Sequence, residues 1–135
     1  MRLRGGHPAA TIREVRAANL LGVAAIVALV GVTTALAHRA PTSTEKAGIT
    51  AAVLREAGPD YARKVTVVGI RVSTVSPTWA LADWVGRPRY RDIVQQERFA
   101  VRRAKRGWRA YSPRFTCPIP GMPPAVKREL VIVCY

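Results

Sequence analysis

Acidic side chains and histidines are scarce in this sequence. Eight Asp and Glu stand against 22 Lys and Arg, which gives the 135 residues a net charge of +14. Histidine occurs only at His7 and His38. Acid–base catalysis near neutral pH needs titratable groups that converge on one reacting atom, so these few scattered groups make an enzyme the least favoured class. The excess of positive charge instead predicts attraction to anionic partners.

The short motifs of common catalytic and cofactor sites are also missing. The chain contains no Gly-rich phosphate loop, no nucleophile elbow and no residues at metal-ligand spacing. We therefore expect a non-catalytic protein that uses no cofactor and no metal. There are no internal repeats, and the length allows one small domain.

A long apolar run near the N-terminus predicts export. Residues 20–37 are 18 uncharged, mostly apolar side chains that follow four arginines. Ala35 and Ala37 provide small residues where a signal peptidase inspects the chain, which predicts cleavage before His38. Eighteen residues also just span a hydrocarbon core of about 30 Å, so the alternative for residues 1–37 is an uncleaved signal anchor. Both interpretations place the rest of the chain outside the cytoplasm.

The chain has only two cysteines, Cys117 and Cys134, and both follow the apolar run. An even pair in an oxidising compartment predicts a disulfide. A metal pair or a catalytic thiol would need partner residues, and the only histidine after the run is His38.

Residues 38–44 are polar and predict a linker, followed by a small domain over residues 45–135. Thr42 and Glu45 fit a capping box at the start of a helix. Apolar residues then recur at helical spacing until Gly58 and Pro59 stop the pattern. From residue 38 onward, 18 Lys and Arg oppose seven Asp and Glu, so a net +11 belongs to the domain itself.

Four later segments have the composition of antiparallel strands. A β-branched run that begins at Lys64 is the first, with a bulge at Gly69. The others are the segment TWALADWV, residues 97–104 and residues 108–112. One helix followed by four strands predicts an α+β domain. We expect the helix to cover one face of the sheet and the disulfide to tie down the C-terminal segment.

Several of these features resemble a group of small exported actinobacterial proteins of unknown function. The resemblance covers most of residues 49–134. It is carried by the run STVSPTWA, a basic turn before Trp108, a Pro-rich stretch, and the residues Cys117, Val126, Leu130 and Cys134. The order of helix and sheet is also similar to cystatin-like and NTF2-like folds. Such folds host inhibitors, enzymes and binding modules, so the resemblance implies a shape and no activity.

A hairpin in the second half of the domain concentrates positive charge. A two-residue turn at Arg106 and Gly107 would place Arg102 opposite Tyr111. A three-residue turn would instead set Arg103 opposite Arg109, and like charges directly opposite each other are unfavourable. The two-residue turn is therefore the preferred register.

This register places a basic stripe on the face of the hairpin that points away from the helix. The stripe consists of Arg98, Arg102, Arg109 and Tyr111. Because the arginine fork matches phosphate and carboxylate groups, the stripe is a candidate anion-binding surface. The alternative is a solvated face whose charges keep the sheet from aggregating. Asp83 and Glu97 are each expected to pair with a nearby arginine, and the three tryptophans to pack in the core or at its rim.

Two functional hypotheses remain. The first is a binding module of the cell envelope whose basic face associates with anionic polymers or lipid head groups. The second is a secreted protein-interaction or inhibitor domain that uses the Pro-rich loop at residues 118–124. Nucleic acid is not favoured as a partner, because export removes the domain from it. The protein is expected to be secreted, or held at the plasma membrane by residues 20–37.

The intact mass of the protein from its native host tests the export and disulfide predictions together. We expect the mass of a chain that begins at His38, reduced by two hydrogens for the disulfide. A full-length mass would contradict cleavage and favour the signal anchor, and a mass with both thiol hydrogens present would contradict the disulfide.

Overall fold

The computed structural model describes residues 38–134 of the chain. The predicted signal peptide or anchor, with its cleavage residues Ala35 and Ala37, lies outside the described residues. Five antiparallel strands form one sheet in the order β1-β2-β3-β4-β5, so every strand pairs with its neighbour in sequence. Within the described range, no helix has both the length and the apolar character to cross a membrane.

The strands form a meander, and three α-helices and one 3₁₀ turn complete the described part of the chain. The strands are β1 (His38–Arg39), β2 (Val65–Ser73), β3 (Trp79–Gly86), β4 (Glu97–Ala104) and β5 (Gly107–Tyr111). The helices are α1 (Ser43–Ala57), α2 (Pro59–Ala62) and α3 (Pro124–Glu129), with a 3₁₀ turn at Pro88–Tyr90. The α+β class is therefore confirmed.

Helix α1 begins and ends where the sequence predicts. The hydroxyl of Thr42 accepts a hydrogen bond from the backbone N–H of Glu45 at 3.2 Å, and the Glu45 carboxylate accepts one from the N–H of Thr42 at 2.9 Å. These reciprocal bonds satisfy two amide groups that have no partner inside the helix. Gly58, at φ +80°, ends the helix before Pro59 begins α2.

The sheet has five strands, whereas the sequence predicts four. The additional strand is β1, two residues that the composition assigns to the polar linker. His38 pairs with Ser73 and Arg39 with Val72. Two residues are too few to show a strand pattern, and β1 is held by an ion pair instead. The guanidinium of Arg39 donates to both carboxylate oxygens of Glu45, at 2.7 and 2.8 Å.

Strand β2 contains the predicted bulge. Val68 pairs with Asp83, and the next regular pair is Arg71 with Leu81, so β2 has one residue more than β3 in this interval. Gly69 lies in the interval at φ +61°, a left-handed conformation that glycine adopts without the steric penalty of a side chain.

The predicted hairpin register is wrong by two residues. The structure pairs Ala104 with Gly107 and Val101 with Ala110, so the connecting loop is Lys105 and Arg106. Gly107, at φ +113°, is therefore the first residue of β5 and not part of the loop. Because the error is an even number of residues, each side chain keeps its predicted face of the sheet.

Both faces of the sheet are covered by apolar contacts. Helix α1 packs on the first face, where its buried residues meet side chains from strands β2 to β5. The C-terminal segment, residues 117–134 with α3, covers the second face. The first core contains Ile49, Ala52, Val53, Val65, Val72, Ala80, Ala82, Trp84, Val94, Phe99, Val101 and Ala110. The second core contains Trp79, Leu81, Ala100, Ile119, Val126, Leu130 and Ile132.

The predicted disulfide joins Cys117 and Cys134, whose Cα atoms are 5.8 Å apart. It closes the two ends of the segment that covers the second face. Disulfides persist in oxidising compartments, so the bond is consistent with an extracytoplasmic location.

A carboxylate on α3 binds the turn after β2. Glu129 accepts hydrogen bonds from the hydroxyl of Ser73 and from the backbone N–H and hydroxyl of Thr74, the last two at 2.7 and 2.8 Å. Partial burial raises the pKa of Glu129, but hydrogen bonds from Ser73, Thr74 and Val75 outweigh it, so the pKa lies below its ordinary value. Glu129 thus attaches the C-terminal segment to the sheet, while the disulfide joins the two ends of the segment to each other.

Helix α3 ends in a Schellman motif with an unusual residue. The N–H of Ile132 donates to the carbonyl of Lys127 at 3.0 Å, and the N–H of Val131 donates to the carbonyl of Arg128 at 3.3 Å. The residue in left-handed conformation is Val131, at φ +53°, where helices commonly use glycine. A side chain in this conformation costs roughly 1–2 kcal/mol, and a β-branched side chain is especially disfavoured.

Replacing both cysteines, Cys117→Ala with Cys134→Ala, should lower the free energy of unfolding by about 3 kcal/mol, the chain-entropy estimate for a loop of this length. Urea denaturation of the oxidised protein and the double variant measures the difference. A reducing agent should weaken the parent protein and leave the variant unchanged. Equal stabilities would show that closing the two ends of the C-terminal segment adds nothing to the stability of the fold.

Acid should destabilise the protein through Glu45. The hydrogen bonds from Arg39 and Thr42 lower the pKa of Glu45 from 4.5 to about 2. Because the folded pKa is the lower one, this contribution to stability is present above pH 4.5 and is lost as the pH falls toward 2. In Glu45→Gln, the free energy of unfolding should decline less steeply across this window. Parallel pH profiles for the two proteins would contradict the assignment.

Candidate anion-binding surface

The four residues of the predicted basic stripe lie on one face of β4 and β5, the face that the C-terminal segment covers. Arg98, Arg102 and Ala100 alternate on β4 with the residues of the first core. Arg109 lies opposite Arg102, and Tyr111 lies opposite Ala100. The three arginines are exposed, while Tyr111 is partly buried against the second core. The structure therefore brings the four side chains to one face but gives them different partners.

Arg98 forms an internal ion pair. Its Nε donates to the Asp83 carboxylate at 2.9 Å, directly across from it on β3. Asp83 is only 6% exposed, so the guanidinium compensates a buried negative charge. The expectation that Asp83 pairs with an arginine is confirmed. Glu97 has a different partner, because it accepts a hydrogen bond from the Ser112 hydroxyl.

Arg102 and Arg109 form a like-charge pair across the two strands. Directly opposite residues of like charge repel each other, whereas the predicted register places Arg102 opposite Tyr111. In the structure each guanidinium lies over an aromatic ring. The Cζ atom of Arg102 is 5.5 Å from the ring centre of Trp79, and that of Arg109 is 5.2 Å from the ring centre of Tyr111. Such cation–π contacts contribute about 0.5–1 kcal/mol each and offset part of the repulsion.

We call Arg102 and Arg109, with the rings beneath them, the arginine pair. Among residues 38–134, neither guanidinium forms an ion pair with a carboxylate. Trp79 is 2% exposed and therefore provides a rigid support for Arg102. The arginine pair thus presents two adjacent positive groups that have aromatic partners but no anion.

The Pro-rich loop borders the arginine pair on one side. Gly121 adopts φ +70°, and a Cβ atom at this position would lie 2.8 Å from Nη1 of Arg102. The absence of a side chain therefore allows the loop to approach the guanidinium closely. Ile119 is buried, and Met122 packs against the second core. Two apolar side chains of the loop thus face the sheet and not an external partner.

The surrounding charges are also positive. Arg103, Lys105 and Arg106 are exposed at the tip of the hairpin, next to the arginine pair in sequence. Most carboxylates of the described part have internal partners, in three ion pairs and in two sites bound by hydroxyl groups. These carboxylates are Glu45, Asp60, Asp83, Glu97 and Glu129. The field around the hairpin is therefore little compensated by neighbouring acids.

All three tryptophans pack as the sequence predicts. Trp79 and Trp84 are 2% and 6% exposed, and Trp108 is partly buried against α1. Trp79 additionally supports Arg102, a role that sequence reasoning missed because it depends on the pairing of β3 with β4. Within residues 38–134, no group of three or more His, Cys, Asp and Glu side chains is arranged to hold a metal ion.

The sequence matches no protein-family model, no curated protein and no solved structure.

Proposed function

We propose that the protein is a non-catalytic, extracytoplasmic binding module whose basic surface associates with anionic polymers or lipid head groups of the cell envelope. The observation that carries this proposal is the arginine pair, in which two guanidinium groups face each other across β4 and β5 without a carboxylate partner. A phosphate group bound between them would relieve their repulsion. Arginine is well suited to this, since its planar fork can donate two parallel hydrogen bonds to a phosphate.

The environment of the arginine pair supports binding of an extended anion. The rings of Trp79 and Tyr111 hold both guanidinium groups near the sheet, which lowers the entropy lost when a ligand binds. The exposed cations of the hairpin tip extend the positive surface beyond the pair. The apolar run at residues 20–37 and the disulfide favour a location at the cell envelope, where phosphate-containing polymers and anionic lipids share this chemistry.

Removing the arginine pair should weaken anion binding more than removing the same charge elsewhere. We expect Arg102→Gln with Arg109→Gln to reduce the binding affinity about 30-fold. Each cation near an anionic surface contributes roughly 1 kcal/mol of binding free energy, and the variant loses two of them. The control is Lys46→Gln with Arg91→Gln, which removes two exposed charges away from the hairpin and should change binding less than threefold. The full chain is immobilised, and poly(glycerol phosphate) is titrated over it at 50 and 300 mM salt.

Nanodiscs distinguish a polymer from a lipid surface as the source of the anion. If lipid head groups are the ligand, phosphatidylglycerol nanodiscs should bind the parent protein and bind the variant without the arginine pair more weakly. Phosphatidylcholine nanodiscs report the contribution of residues 20–37. Equal losses in the two double variants would show that only net charge matters and would overturn the proposal. Tighter binding of duplex DNA than of either probe at physiological salt would overturn it as well.

A further inference from the structure

Exposed apolar side chains concentrate at one end of the domain. Seven large apolar residues are exposed in the described part of the chain, and five of them line two adjoining clefts. The clefts have volumes of about 380 and 730 Å³ and share Gln95, Glu97 and Arg114. The five residues, which we call the apolar patch, are Tyr61, Ile93, Phe115, Val131 and Val133. Exposed apolar side chains gathered around clefts, with polar residues between them, are typical of interaction sites.

The floor beneath the apolar patch is rigid. The ring of Tyr61 stacks on Trp84, with centroids 5.8 Å apart and planes 13° from parallel. Trp84 in turn contacts Phe99 at 4.6 Å and donates from Nε1 to the carbonyl of Gln95 at 3.1 Å. Because these contacts fix the floor before any partner arrives, little side-chain entropy remains to be lost on binding.

Val131 is the most informative member of the patch. It occupies the left-handed position of the Schellman motif, where glycine would avoid the steric penalty. Its side chain is 60% exposed, so the free energy gained by burying it inside the domain offsets little of the steric penalty. Phe115 and Ile93 are exposed further, at 79% and 70%. Residues in strained backbone conformations cluster at functional sites.

We propose that the apolar patch is the docking surface for another protein whose contacting segment carries apolar side chains flanked by acidic ones. The domain has a net charge of +11, and only three of its 18 basic side chains form ion pairs within residues 38–134. Arg98 and Arg114 line the clefts together with Glu56, Asp83 and Glu97, so the excess of positive charge lies on the surface around the clefts. This charge attracts an acidic partner and repels a second copy of the same chain.

This surface is distinct from the other two candidates on the domain. The arginine pair lies toward the hairpin turn, whereas Glu97 and Ser112 of the clefts lie at the opposite end of the same hairpin. The Pro-rich loop turns Ile119 and Met122 toward the sheet. Anion binding and protein docking can therefore be tested independently.

Selection from a phage-displayed library of random 12-residue peptides, with the full chain immobilised, provides the probe. We expect the enriched peptides to combine aromatic or aliphatic residues with Asp and Glu. Fluorescence anisotropy with the most enriched peptide should show at least tenfold weaker binding to Phe115→Ser and to Val131→Gly. Val75→Gly is the matched control, because Val75 is 58% exposed but lies outside the clefts, and it should change binding less than twofold.

Thermal unfolding separates a docking role from a structural one. Val131→Gly should leave the Tm unchanged or raise it by a few degrees, because the strained side chain is removed, while peptide binding is lost. A large fall in Tm would show that Val131 stabilises the fold. Equal peptide binding by all variants would show that the peptides bind outside the apolar patch and would overturn the proposal. If the enriched peptides contained no acidic residues, the proposal that the partner's contacting segment is acidic would be wrong. A dimer in sedimentation that Phe115→Ser dissociates would make a second copy the occupant.

Arg102→Gln with Arg109→Gln should retain at least half of the peptide affinity. Loss of peptide binding in that variant would show that the arginine pair and the apolar patch act as one surface, which would contradict the proposal that they are separate. Phosphatidylcholine nanodiscs that bind the parent protein but not Phe115→Ser would identify a lipid surface as the occupant instead.

Discussion

The covering of the second face of the sheet by the C-terminal segment is the contact on which the rest of the domain depends. Trp79, Leu81 and Ala100 point away from α1, and without the segment this apolar surface would face water. The disulfide closes the segment, and Glu129 binds it to the turn after β2. A sheet that is apolar on both faces thus becomes the middle layer of a small domain.

The same arrangement determines where charge can accumulate. With the middle of both faces covered, basic side chains occupy exposed positions on the hairpin, in the loops and on the outer sides of the helices. The carboxylates mostly act as internal connectors: Glu45 joins β1 to α1, Asp83 joins β3 to β4, and Glu129 joins α3 to β2. Negative charge is used within the fold, and positive charge remains available to a partner.

The features that could be predicted from the sequence are those with a local signal. The capping box at Thr42, the glycine of the β2 bulge and the pairing of Cys117 with Cys134 each depend on a few neighbouring residues or on a simple count. Strand β1 was missed because two residues have no period and their partner, Ser73, is distant in sequence. The predicted hairpin has a loop of the right length, two residues, but its register is wrong because Gly107 is the first residue of β5 and the turn lies at Lys105 and Arg106.

The two candidate surfaces also differ in how far they can be predicted from the sequence. The members of the basic stripe share two adjacent strands, so their common face follows from alternation even when the register is shifted. The apolar patch draws its residues from α2, from two loops and from the end of the chain, which no short window of sequence connects. The conformation of Val131 gives no sequence signal at all, since valine is the residue least expected at a left-handed position.

The meander order of the strands bears on how the chain folds. Each strand pairs with the one before it, so the sheet can form from contacts between near neighbours in sequence, which favours rapid folding. The segment that covers the second face follows all five strands in the sequence. Until Cys134 has arrived, an otherwise complete sheet therefore exposes the apolar surface of Trp79 and Leu81. Prolonged exposure of such a surface favours aggregation, so covering by residues 117–134 protects the domain against self-association.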